Sequence, residues 1–197
     1  LLVKKMAYLH YLHPELKMAY VFYTVSLKQF IQNLFMRFYR DFDKVNDPNF
    51  DNIHILHSWG SLKADGFYSS LCKTFNIEKK TIADVISQTN KFGYVCDDLL
   101  KEMKKINNTG VYDKIFIDEA QDFPLEFFRL AKSVLTPTGT IIYAYDELQS
   151  LNDSDMSMPT KKEIFGDEPC NDVNLKICYR TPNQILITAH ALGLGVY

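Results

Sequence analysis

The sequence predicts an α/β domain with a mostly parallel sheet covered on both faces. Three observations lead there. Four short runs are apolar without a break, as strands buried on both sides are, rather than alternating apolar and polar. Segments with helical periodicity separate them, so strand and helix alternate along the chain. Of the 197 residues, 47% are hydrophobic and 14% aromatic, enough to fill a substantial core.

Taken in order, Leu2–Leu12 carries the first helical pattern and Met18–Thr24, "MAYVFYT", the first strand. Leu27–Phe42 is the next amphipathic helix, and Ile53–His57, "IHILH", the second strand. Residues 60–108 break the alternation. They read as two or three helices, around Gly66–Phe75, Lys80–Thr89 and Tyr94–Ile106, forming an inserted lobe that closes on the turn Asn107-Asn108-Thr109-Gly110. This lobe carries Lys63, Lys73, Lys79, Lys80, Lys91, Lys101, Lys104 and Lys105, a surface that is either merely solvated or flanks a binding face. Lys114–Asp118 is the third strand, Glu126–Leu135 a helix and Thr140–Tyr145 the fourth strand. The polar stretch 152–172, with Pro159, Gly166 and Pro169, reads as a surface loop. A weaker fifth strand, Val173–Cys178, precedes a last helical pattern at Asn183–Leu192.

Charge and composition narrow the function. A net charge of −2 provides no global attraction to nucleic acid, so such binding needs a local groove. No apolar run approaches the roughly 20 residues that span a bilayer, and no signal peptide is visible, so a membrane partner is not expected. The four cysteines, Cys72, Cys96, Cys170 and Cys178, lack paired metal spacing and suggest no disulfide framework; a reduced, cytoplasmic setting follows. The chain starts at Leu1 without an initiator Met, which leads us to expect a piece of a longer protein. Nothing in the composition speaks to oligomeric state.

The most informative stretch is "YDKIFIDEAQDFP", residues 112–124. An apolar strand runs straight into Asp118 and Glu119, with Asp122 following. Two adjacent carboxylates at a buried strand end repel each other and lose solvation. A hydrated Mg²⁺ bound through one of them and through substrate phosphates relieves that repulsion, and the other can then activate a water. The alternative is a solvated strand end leading into a helix N-terminus, where acids are favoured.

This stretch resembles motif II of superfamily 1 helicases of the UvrD/Rep type. Other segments resemble that family in its order. "AYVFYTVSL" (19–27) is similar to motif Ia, and "IHILHSWGS" (53–61) to the strand that follows it. "IIYAYDELQSL" (141–151) resembles motif III, with Asp146 and Gln149 at the expected spacing, and "LKICYRTPNQIL" (175–186) resembles motif IV. The resemblance implies a RecA-like three-layer domain, ATP and Mg²⁺ as cofactors, and single-stranded DNA (or RNA) as partner. It implies that Asp118 holds Mg²⁺ and Glu119 activates the hydrolytic water. Gln149 would sense the γ-phosphate, Arg180 act as an arginine finger and Tyr179 stack on adenine. Tyr23, Thr24, Ser26, His57, Ser58 and Trp59 would line the strand track.

Three positions depart from the family pattern. Tyr145 stands where a Gly precedes the motif III Asp, Cys178 where an Asn precedes the motif IV Tyr, and Leu151-Asn152-Asp153 where a tryptophan-bearing segment often follows motif III. No Gly-x-x-x-x-Gly-Lys-[Ser/Thr] loop occurs in the 197 residues, although Leu1–Leu12 looks like the helix that would follow one. The organisation expected is therefore residues 1–59 as the first part of a RecA-like domain behind its phosphate loop and 60–108 as the helical insertion. Residues 109–172 would be the second part, and 173–197 the junction and start of a second RecA-like domain. The function expected is that of an ATP-driven helicase or translocase on single strands, inactive as residues 1–197 alone. Two alternatives stay open: a degenerate helicase-like module that binds nucleic acid or a protein without ATPase activity, and a metal-dependent nuclease or phosphatase using Asp118, Glu119 and Asp122.

Overall fold

The computed structural model describes residues 1–61, 64–106, 110–145, 159–174 and 182–193. The chain forms two compact units, Leu1–Thr160 and Lys161–Tyr197. The first holds four strands: β1 (Met18–Phe22), β2 (Ile53–His57), β3 (Tyr112–Ile117) and β4 (Leu135–Tyr143). They form one sheet in the order β2-β1-β3-β4, every neighbouring pair parallel.

All five residues of β1 are buried, which is why its sequence is apolar without alternation. Its side chains still divide between the faces. Met18, Tyr20 and Phe22 join Ile53, Ile55 and Phe116 in a core closed by α1 (Leu2–Leu12) and α2 (Lys28–Phe42). From α2 come Ile31, Phe35 and Tyr39, spaced by four along one helix face. Three helices cover the opposite face: α3 (Phe67–Thr74), α4 (Lys91–Met103) and α5 (Leu125–Ser133). There the Phe67 ring stacks on Tyr112 at 5.8 Å, and Phe127 lies 5.6 Å from Phe67 and 5.7 Å from Phe92. The result is a three-layer α/β arrangement compatible with a RecA-like fold, with the helices of the segment between β2 and β3 in the helical layer opposite α1 and α2.

Three local expectations are corrected. Lys80–Thr89 is not a helix; only Ala83–Val85 forms a 3₁₀ turn. Its backbone is engaged by side chains instead: the Lys80 amide donates to the Tyr68 hydroxyl, the Lys80 carbonyl accepts from the Trp59 indole, and Asp84 accepts from both the amide and the hydroxyl of Thr81. At the fourth strand, α5 stops at Ser133 and β4 begins at Leu135, earlier than the apolar run predicts. Pro137 ends any helical continuation, and β4 absorbs it because it is an edge strand with a register shift between Tyr112 and Lys114 of its neighbour. The expected loop 152–172 contains a short helix, α6 (Lys161–Phe165), in a unit that also holds a Lys161–Asp172 ion pair. The helix α7 (Asn183–Gly193) matches the last helical pattern. Of the expected fifth strand, Val173 and Asn174 are not in a strand and residues 175–178 lie outside the described residues.

Among the described residues no helix is long and apolar enough to cross a membrane. The topology also marks a place for ligands. From β1 the chain enters α2 on one face; from β3 it enters α5 on the other. The two connections diverge between the carboxyl ends of β1 and β3, the kind of switch point at which open α/β sheets bind ligands.

Candidate functional site

Asp118 stands at that divergence. Its amide extends the ladder by donating to the Val21 carbonyl at 3.0 Å, so the residue is fixed one step beyond β3. Its Oδ2 accepts a 2.8 Å hydrogen bond from the Tyr20 hydroxyl, which reaches across from β1. Tyr20 is almost wholly buried and its ring stacks on Phe116 at 6.4 Å. Burial, and then the negative charge and hydrogen bond of Asp118, push the phenol far above its ordinary value of 10, so it remains a donor throughout the working pH range.

Glu119 adopts the left-handed conformation, φ 51° and ψ 53°, which costs a non-glycine residue roughly 1–2 kcal/mol. Its surroundings hold it there. The Ala120 amide donates to the Ala144 carbonyl at 2.8 Å and the Asp122 amide to the Glu119 carbonyl at 3.0 Å, closing a 3₁₀ turn at Ala120–Asp122. The Gln121 side-chain amide donates to Glu119 Oε2 at 2.7 Å. Gln121 is buried while Glu119 is exposed, so a fixed donor orients a solvent-facing carboxylate. Burial, and then the charge of Glu119, raise the pKa of Asp122.

The donor chemistry here suits Mg²⁺ held together with phosphates. That ion keeps several waters and takes one or two carboxylates rather than a full protein cage. Asp118 could provide one such oxygen, Oδ1, since Oδ2 accepts from Tyr20. No group of three or more His, Cys, Asp or Glu that could hold a metal occurs among the described residues.

Beside the carboxylates lies a cavity of about 810 Å³. It opens over the turns that follow β1 and β2: Tyr23, His57, Ser58 and Trp59 all line it, as do Asp122 and Pro124 from the β3 side. The turn after β2 is closely wired. Ser58 is buried and its amide donates to the Phe22 carbonyl at 2.9 Å. Two amides in the first turn of α3, on Tyr68 and Ser69, donate to the Ser58 and Trp59 carbonyls at 3.0 and 3.2 Å. His57 Nδ1 accepts from the amides of Trp59 and Gly60 at 3.3 and 3.2 Å, which fixes the neutral tautomer protonated on Nε2. Burial lowers the His57 pKa, opposed by the Tyr23 carbonyl. Trp59 is half-buried, its indole N–H donating to the Lys80 carbonyl and its ring 5.5 Å from Phe92.

The structure therefore brings Asp118, Glu119, Tyr23, His57, Ser58 and Trp59 to one edge of one sheet. Thr24 and Ser26 are exposed on the succeeding turn and do not line the cavity. Asp146, Gln149, Tyr179 and Arg180 lie outside the described residues. Sequence reasoning missed Tyr20 and Gln121. The first has no local signal, being one aromatic in a buried strand; the second sits inside the "DEAQD" string and could have been singled out there. No family model, curated protein or solved structure matches this chain.

Proposed function

We propose that the chain is the first RecA-like domain of an ATP-driven translocase or helicase acting on single-stranded nucleic acid, DNA being the favoured strand, in the cytoplasm. One observation carries the reading: Asp118 and Glu119 sit at the carboxyl end of β3, at the switch point, next to an aromatic-lined cavity. The reading requires a phosphate-cradling loop, which these 197 residues do not contain, and so requires one from sequence outside them.

Mg-ATP supplies the bond to be cleaved and the charge that offsets its phosphate oxygens. Asp118, steadied through Oδ2 by Tyr20, offers Oδ1 to the metal. Glu119, oriented by Gln121, takes a proton from the attacking water. Gln149, Tyr179 and Arg180 keep the roles that the family resemblance implies: γ-phosphate sensing, adenine stacking and stabilisation of transition-state charge.

A second reading is a degenerate module that binds nucleic acid or a protein partner without hydrolysis; a phosphate loop encoded upstream of Leu1 would refute it. The nuclease reading has less support, because two-metal sites need carboxylates converging from several elements, whereas Asp118, Glu119 and Asp122 all follow one strand. ATP hydrolysis by the full-length gene product, with and without single-stranded DNA, separates the first two. We expect strand-stimulated turnover that Glu119→Gln reduces by about 10²–10⁴-fold while sparing ATP binding. Arg180→Ala should cost about 10³-fold or more in kcat. Residues 1–197 alone should be silent. A silent full-length protein would favour the binding module instead.

A further inference from the structure

We infer that the cavity after β2 holds one nucleotide of a single strand, its base against Trp59 and its phosphodiester on Lys79 and Lys91. The inference rests on the strand-binding part of the function proposed above and adds ligands from outside the motif-bearing turns. At about 810 Å³ the cavity falls within the range of about 300–1,000 Å³ typical of ligand pockets. Its walls combine two chemistries. Tyr23 and Trp59 are aromatic and only partly covered, which suits a planar base.

Three lysines also reach the cavity, and the structure separates them. Lys80 is committed elsewhere: its Nζ lies 2.7 Å from Asp98 and 5.2 Å from the centre of the Tyr94 ring. Lys79 is exposed and Lys91 half-buried, and neither has a carboxylate partner among the described residues. Asp122 puts one negative charge on the same cavity, so with Lys80 cancelled by Asp98 the two remaining lysines leave it net positive. A net positive cavity with aromatic walls matches a stacked base joined to a singly charged phosphodiester.

The chain has a single tryptophan, Trp59, so its fluorescence reads occupancy of this cavity directly. The test titrates the full chain with a short labelled oligodeoxythymidine, following Trp59 emission and the anisotropy of the label at several salt concentrations. Quenching of Trp59 should track the anisotropy. Lys79→Gln/Lys91→Gln should flatten the plot of log affinity against log salt by about 0.7, the value for one phosphate contact on a single strand. Lys79→Arg/Lys91→Arg should restore the slope. The charge-balanced Lys80→Gln/Asp98→Asn should leave it unchanged. Binding by anisotropy without Trp59 quenching, or a slope indifferent to Lys79 and Lys91, would overturn the cavity assignment while leaving strand binding intact. Equal quenching by free thymidine monophosphate would overturn it in favour of a small-molecule pocket. No binding by either signal would remove the strand-binding reading as well.

Discussion

After β2 the chain is held largely by backbone and by two glycines, with the His57 ring accepting from the Trp59 and Gly60 amides. Ser58 and Trp59 are tied to β1 and to the start of α3 through main-chain bonds. Gly60, at φ 101°, reverses the chain, and Gly66 packs so closely that a Cβ would lie 2.2 Å from the Gly60 nitrogen and 2.5 Å from the His57 carbonyl. After β3 main-chain bonds also hold the turn, but without a glycine. A charged residue occupies a left-handed conformation that glycine would adopt more readily, and two side chains, Tyr20 from β1 and Gln121 from the turn itself, engage the carboxylates. Both turns reach the same sheet edge. The first is a frame that tolerates no added atom. The second keeps local strain so that a carboxylate faces solvent, a pattern that clusters at functional sites.

If the first turn is a frame, Gly66→Ala should be the most damaging small change at this edge, because its new methyl meets backbone that cannot rotate away. We expect a loss of about 3 kcal/mol, the upper end for overpacking, measured by urea unfolding. A loss below about 0.5 kcal/mol, within the range of ordinary surface substitutions, would show that the turn yields and the contrast is false. Tyr20→Phe removes only the hydroxyl and keeps the stacking on Phe116. It should cost about 1.5 kcal/mol, the lower range for a hydrogen bond to a charged group, since the half-buried Asp118 can recruit water. No loss would mean that the β1–β3 link does not hold Asp118. Glu119→Gly should move stability the other way, a gain of about 1 kcal/mol from relieved backbone strain, while removing the proposed base. A destabilised Glu119→Gly would indicate that the Gln121 contact outweighs the strain.

What could be read from the sequence depended on how local its cause was. The strands were legible because burial on both faces leaves unbroken apolar runs, as in Met18–Phe22. The carboxylate edge was legible because Asp118 and Glu119 directly follow such a run. The 80–89 segment was not, because its helical appearance is overridden by Tyr68 and Trp59, which capture the Lys80 backbone from elsewhere in the chain. Lys79 and Lys80 are adjacent and chemically identical in sequence. Only the fold places Asp98 against one of them. Tyr20 acquires its partner from a residue 98 positions away. Long-range pairing of this kind leaves no local trace.

That same separation has a consequence for how the chain is made. β1 is an inner strand of the sheet, yet its β3 neighbour emerges from the ribosome far later. With synthesis at about 5–20 residues per second, Tyr20 waits roughly 5–20 s for Asp118. Over that interval "MAYVF" has at best β2 on one side and an open strand edge on the other. An apolar, β-prone segment with an unpaired edge is a template for association between nascent chains. Helices α1 and α2 are local in sequence and can form early, shielding one face of the strand but not its edge. The completion of β3 is thus the step that closes the open edge of β1.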